Sequence, residues 1–126
     1  TGGKMAIYLL LQYLCGLNSP LKANPSDKIG VIIQAPFWVS YPSITKIMDG
    51  KPVIINTSEA GGWKLTPEML KAAYTPDCKV LMLNNGVNPT GIIYSRNELK
   101  ALMDLIQLVS FTLVAKCKHY LPWLLN

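Results

Sequence analysis

Val31-Ile32-Ile33-Gln34-Ala35-Pro36-Phe37-Trp38-Val39-Ser40-Tyr41-Pro42 is the stretch whose reading decides the fold. Its opening β-branched residues form a short continuous apolar run, which reads as a strand buried on both faces. Pro36 cannot donate to a central ladder, so the strand stops there and leaves Phe37 and Trp38 at its carboxyl end. From Pro42 to Met48 the pattern suits a helix with proline in its first turn, closed near Gly50. Val53-Ile54-Ile55 then gives the next strand.

Reading outward, the same alternation continues on both sides. Upstream, Lys4 to Leu14 is apolar almost all round, as expected for a helix buried between layers, with Gly2 and Gly3 just before it. Asn18 to Lys28 holds Pro20, Asn24, Pro25, Ser26 and Asp27, a loop by its turn chemistry and a long one. Downstream, Thr66-Pro67-Glu68 supplies a capping hydroxyl, a first-turn proline and an acid near the positive helix end, so a helix runs to about Tyr74. Val80-Leu81-Met82-Leu83 is a third strand, followed by Asn84-Asn85-Gly86 and by Asn88-Pro89-Thr90-Gly91. Ser95 and Glu98 form a capping box that starts a helix to about Val109, and Phe111-Thr112-Leu113-Val114 is a fourth strand. Strands and helices in alternation imply an α/β fold, a mainly parallel sheet flanked by helices.

The composition narrows the function. Hydrophobic residues make up 50% of the 126 and charged residues 15%, a surplus of apolar surface for one domain. No apolar run approaches the ~18 residues of a membrane span, so no membrane partner is expected and a cytoplasmic location is the default. The net charge of +5 is scattered, with one local cluster at Lys116, Lys118 and His119, which reads as solvated surface and argues against a nucleic-acid partner. Cys15, Cys78 and Cys117 lack metal or redox spacing and read as reduced, packed thiols.

Three places could carry chemistry. Gly2-Gly3-Lys4 stands at a helix start, where unpaired N–H groups and the helix dipole favour an anion such as phosphate, although two glycines there also make an ordinary tight turn. Trp38 lies just past a strand's carboxyl end, where open α/β sheets hold ligands; its ring could stack on a flat heterocycle or simply fill the core. Asn88 precedes Pro89 in a turn at the same rim, where its amide could hydrogen-bond a ligand or merely start the turn. His119, the only histidine, has no neighbouring nucleophile or carboxylate that fits a triad.

Taken in order, these motifs resemble the class I aminotransferases of the aspartate aminotransferase type. Thr1 to Tyr8 is similar to the phosphate-cradling loop and helix of that family. Ala35 to Pro42 is similar to its segment with the cofactor-stacking aromatic residue, Lys64 to Glu68 to its next helix start, and Asn88-Pro89-Thr90-Gly91 with Tyr94-Ser95-Arg96 to its asparagine-proline turn. The likeness runs to about Val114. It implies a pyridoxal 5′-phosphate site in the large domain of a dimer, which moves an amino group between an amino acid and a 2-oxo acid. It further implies that Gly3 and Lys4 give backbone N–H contacts to the phosphate and that Trp38 stacks on the pyridine ring. Asn88 would bond near the phenolic oxygen and the substrate carboxylate, so Trp38 and Asn88 would also face the substrate.

The pattern also fails in places. After the fourth strand the family has an aspartate for the ring nitrogen and a tyrosine for the phenolic oxygen, whereas here Ala115-Lys116-Cys117-Lys118-His119-Tyr120 follows. A lysine there reverses the charge that a pyridinium proton needs. The family's lysine that carries the cofactor covalently and its carboxylate-binding arginine would stand beyond Asn126. The loop from Gly16 to Gly30 is longer than the family's connection, and Gly86-Val87 replaces the proline and polar residue usual before Asn88.

The expectation is therefore a partial large domain over residues 1–115 and a divergent tail over 116–126, a truncated aminotransferase-like chain with weakened cofactor binding, no catalytic residue and no activity by itself. Gly3, Lys4, Trp38 and Asn88 should converge at the carboxyl ends of the strands, around a pocket sized for a phosphorylated ring. The alternative is a non-catalytic interaction module that associates through exposed apolar surface, with itself as a homo-oligomer or with a longer relative.

Overall fold

The computed structural model describes residues 2–86, 89–108 and 112–117, the last stretch through its backbone. The elements in chain order are α1 (Gly3–Cys15), β1 (Gly30–Ala35), α2 (Ser40–Ile47), β2 (Lys51–Asn56), α3 (Pro67–Ala73), β3 (Cys78–Asn85), α4 (Arg96–Leu108) and β4 (Thr112–Cys117). All strand pairings are parallel, in the order β2-β1-β3-β4.

Period-two alternation divides the core into two layers. Val31, Ile33, Val80 and Met82 face one side and pack with Ile7, Leu11 and Leu14 of α1 and Tyr41 and Ile44 of α2. On the other side Ile32, Ile55, Leu81 and Leu83 pack with Leu70 of α3 and Leu102 and Ile106 of α4. Because β1 is covered on both faces, its residues Gly30 to Gln34 are all buried, whereas in β2 at the edge only Ile55 is buried. β1 and β3 approach closely at Gly30, where an added Cβ would stand 2.9 Å from the Cα of Cys78.

The local signals at the helix starts operate as read. Thr66 caps α3 by accepting from the Met69 N–H at 3.3 Å, and Ser95 and Glu98 make the reciprocal box at α4, with distances of 2.6 and 3.3 Å. Several boundaries differ, the strands running one to three residues beyond the expected apolar runs. α2 begins at Ser40 rather than Pro42, since the first turn of a helix needs no N–H from a proline. β4 runs from Thr112 to Cys117, past the expected Val114, because β3 offers a parallel partner as far as Asn85. Phe111 and the tail from Lys118 to Asn126, including His119 and Tyr120, lie outside the described residues.

The long loop between α1 and β1 is tied to the amino ends of the strands. Ser19 donates its hydroxyl to the Leu14 carbonyl, and the Lys22 ammonium, its side chain only 2% exposed, bonds Asp49 at 2.8 Å. The extra length is therefore accommodated at the end of the sheet opposite Trp38. Cys15 and Cys78 are buried free thiols, and among the described residues no helix is long and apolar enough to cross a membrane.

Candidate functional site at the carboxyl ends of β1 and β3

The chain leaves β1 toward β2 through α2 on one face of the sheet, and leaves β3 toward β4 through α4 on the other. The connections thus diverge between β1 and β3, which opens a crevice at their carboxyl ends, the position where such sheets bind ligands. Ala35 ends β1 and Asn85 ends β3, so Trp38 and Gly86 flank that crevice. Gly86 has a φ of 80°, a left-handed conformation that suits glycine and turns the chain away from the strand.

α1 brings its first turn to the same place. The Lys4 ammonium lies 4.9 Å from the centroid of the Trp38 ring, a cation–π contact. Gly2 caps α1 in extended conformation with no side-chain hydrogen bond to the first turn, and Gly2, Gly3 and Lys4 are exposed. Nothing lies within 4 Å of a Cβ built on Gly2, so an incoming group meets open space there. Gly3, Lys4 and Trp38 are thereby grouped at one rim. Asn88, the remaining expected site residue, lies outside the described residues, with its neighbour Val87.

Sequence reading overlooked the side chains that build this rim. Tyr41, 3% exposed, meets the Trp38 ring edge-on, with centroids 5.6 Å apart and planes at 84°. Its hydroxyl accepts from the Asn84 side-chain amide at 3.3 Å, and burial pushes its pKa above the usual value. On the other face of the sheet, the Tyr94 hydroxyl donates to Gln34 Oε1 at 2.5 Å and accepts the Leu65 N–H at 2.8 Å. Gln34 Nε2 donates to the Trp63 carbonyl at 2.5 Å, and the Tyr94 N–H donates to Asn85 Oδ1 at 2.9 Å. These bonds fasten the 58–66 loop and Tyr94 to the ends of the two central strands. The available signal was the polar pair Asn84-Asn85 closing an otherwise apolar strand.

An enclosed space at this rim, lined in part by Pro36, Phe37, Tyr41 and Asn84, measures about 10 Å³, room for about one water. A larger groove of about 580 Å³ lies at the opposite end, between Leu9, Tyr13, Leu17 and Ile47.

Pyridoxal phosphate fits this rim on one side only. The helix start, whose cap makes no side-chain hydrogen bond, suits its phosphate, the partly buried indole suits its ring, and Lys4 supplies a cation to both. For the ring nitrogen, β4 pairs Lys116 with Asn84 at the same end of the sheet, a lysine position where the resemblance leads one to expect a carboxylate. Among the described residues no group of His, Cys, Asp or Glu could hold a metal ion.

Residues 2–114 match the family model for aminotransferase class I and II. The chain is 45% identical over 102 residues to the asparagine–oxo-acid transaminase of Streptococcus mutans, covering 81% of this chain and 23% of that relative. To the aspartate aminotransferase of Geobacillus stearothermophilus it is 44% identical over 101 residues, 80% of this chain and 23% of the relative. Among solved structures, the aspartate aminotransferase of Thermus thermophilus with maleate superposes with a TM-score of 0.79 at 33% identity, over 90% of this chain and 27% of that one. The chain thus spans about a quarter of the length of the relatives it matches.

Proposed function

This chain belongs to the class I and II aminotransferases, and on that premise we propose that its 126 residues hold the phosphate-binding and ring-stacking part of a pyridoxal 5′-phosphate site but do not transaminate by themselves. The observation that carries this reading is the Lys4–Trp38 contact, which sets the exposed first turn of α1 beside the indole.

Gly3 and Lys4 direct backbone N–H groups to the phosphate, and the Lys4 ammonium adds charge attraction. Trp38 offers its face to the pyridine ring, and Asn88 bonds near the phenolic oxygen and the substrate carboxylate. When bound, pyridoxal phosphate supplies the electron sink of the reaction. Missing from these residues are the carboxylate that holds the ring nitrogen protonated, the lysine that carries the cofactor covalently and the arginine for the substrate carboxylate, so attachment and electronic tuning are both lost. The helix start contributes ~1–2 kcal/mol and the stacked indole ~0.5–1.5 kcal/mol. After the entropy of immobilising the ligand, affinity is no better than about millimolar.

For a complete site, the names of the relatives support an amino donor with a short acidic or amide side chain and a 2-oxo acid acceptor. Homo-oligomerisation and a cytoplasmic location belong to the same proposal. Incubating the chain with pyridoxal phosphate, aspartate and 2-oxoglutarate tests it: no glutamate should form beyond the rate of pyridoxal phosphate alone, and protein-dependent turnover that borohydride abolishes contradicts the reading.

A second reading, an interaction module, draws on the exposed apolar face of α1 and α2. Leu9, Tyr13, Leu17 and Ile47 are each more than half exposed around the 580 Å³ groove. Sedimentation separates the two, since a module of this kind associates without pyridoxal phosphate.

A further inference from the structure

We propose that Tyr41 is a positioning residue that fixes the plane of the Trp38 indole at the carboxyl rim of the sheet. The inference rests on the reading that Trp38 stacks on the cofactor ring.

Trp38 stands in the loop after β1, half-buried against the core, and Lys4 and Tyr41 meet its ring. Lys4 reaches it on an exposed, flexible stem, which attracts the ring but cannot set its tilt. Tyr41 can. Its ring meets the indole at 84° with centroids 5.6 Å apart, so a rotation of the indole about its side-chain bonds breaks the edge contact.

Tyr41 is itself held from three directions. Its backbone N–H donates to the Trp38 carbonyl at 3.0 Å, fixing the spacing of the two residues along the chain. Its hydroxyl accepts from Asn84 Nδ2 at 3.3 Å, which joins it to the penultimate residue of β3. Its side chain is buried, 3% exposed, and the space beside its ring, against Ile33, Phe37 and Met82, is about 10 Å³, room for about one water. The indole plane is thereby referred to the central sheet through Tyr41 and Asn84. A stacking platform needs that, because offset stacking is lost when one ring turns out of parallel.

The test labels the chain with fluorotryptophan and follows the Trp38 fluorine resonance, assigned by its loss in Trp38→Phe, among the signals of the three tryptophans. Tyr41→Leu removes the ring and the hydroxyl, while Tyr41→Phe removes the hydroxyl alone. The Trp38 resonance should shift and broaden in Tyr41→Leu, and do so less in Tyr41→Phe, with the Trp63 resonance unchanged. Binding of pyridoxal phosphate should weaken about two- to tenfold in Tyr41→Leu, the range expected for loss of one aromatic contact. Binding of inorganic phosphate, which does not touch the indole, should stay as in the parent chain. A Trp38 resonance unmoved in both variants overturns the proposal, as does equal weakening for pyridoxal phosphate and inorganic phosphate, the mark of a merely structural role. If Tyr41→Leu does not fold, the fluorine shift in Tyr41→Phe decides the matter. Pyridoxal phosphate binding that is indifferent to Trp38→Ala overturns the stacking reading instead, and the fluorine resonances still decide whether Tyr41 sets the ring.

Discussion

The Lys4 ammonium rests 4.9 Å from the centre of the Trp38 ring, joining the first turn of α1 to the loop after β1. Because Lys4 is exposed, replacing it with methionine should change folding stability by no more than about 1 kcal/mol. Its effect on ligand binding should be electrostatic. Lys4→Met should weaken phosphate binding severalfold at low ionic strength, and the difference should fade as salt screens the charge. Titration of inorganic phosphate at two salt concentrations checks this, and a salt-independent difference counts against it.

Tyr94→Phe should destabilise the fold by about 1–3 kcal/mol, because it leaves Gln34 Oε1 and the Leu65 N–H without their buried partner. Tyr13→Phe, at a ring 64% exposed, is the control and should have little effect. Urea denaturation of the two variants measures the contrast. Equal midpoints would show that the Tyr94 hydroxyl contributes nothing.

Glu98 gives the fold an acid sensitivity. The Lys64 ammonium bonded to its carboxylate, and then the Ser95 N–H, hold its pKa at about 2 instead of 4.5. The folded chain takes up this proton less readily than the unfolded chain, so the contribution is complete above the unfolded value of 4.5 and is lost as pH falls toward about 2. Since the pair is partly exposed, less than about 1 kcal/mol is at stake. The urea midpoint should fall more steeply across that window in the parent chain than in Glu98→Gln, and parallel profiles would contradict the assignment.

Cys15 should resist alkylation in the folded chain. Burial pushes its thiol up to about 11, with Lys22 and Asp49 acting in opposite directions on a smaller scale. At about pH 8 the thiolate fraction is small and no reagent reaches it. Mass spectrometry after a brief iodoacetamide pulse should find Cys15 labelled only in denaturant. Labelling in the native chain at the rate of a free thiol would mean that the α1 end opens readily.

What could be read from the sequence was what depends on near neighbours. The Thr66 cap, the Ser95–Glu98 box and the stop of β1 at Pro36 each act within a few residues, so residue type and spacing reveal them. What escaped depends on residues far apart in the chain. Gln34 finds Tyr94 only after the sheet has formed, and Lys22, in a loop rich in proline and asparagine, reads as solvated until Asp49 covers it. The extension of β4 to Cys117 follows from the ladder that β3 presents, which a strand's own residues do not announce. The grouping of Gly3, Lys4 and Trp38 was legible because each stood at a strand end or helix start, whereas Tyr41 stood just before the expected helix start at Pro42 and carried no local signal.

The central claim is that the start of α1 and the Trp38 indole together form the surface on which pyridoxal phosphate rests. Gly3 is the first helical residue, where proline is tolerated, so Gly3→Pro deletes one N–H donor without breaking α1. The decisive measurement is an equilibrium titration of pyridoxal phosphate against the parent chain, Gly3→Pro and Trp38→Ala. The account predicts reversible binding no tighter than about millimolar in the parent, weakened in each variant. Micromolar binding that is indifferent to both substitutions would contradict it.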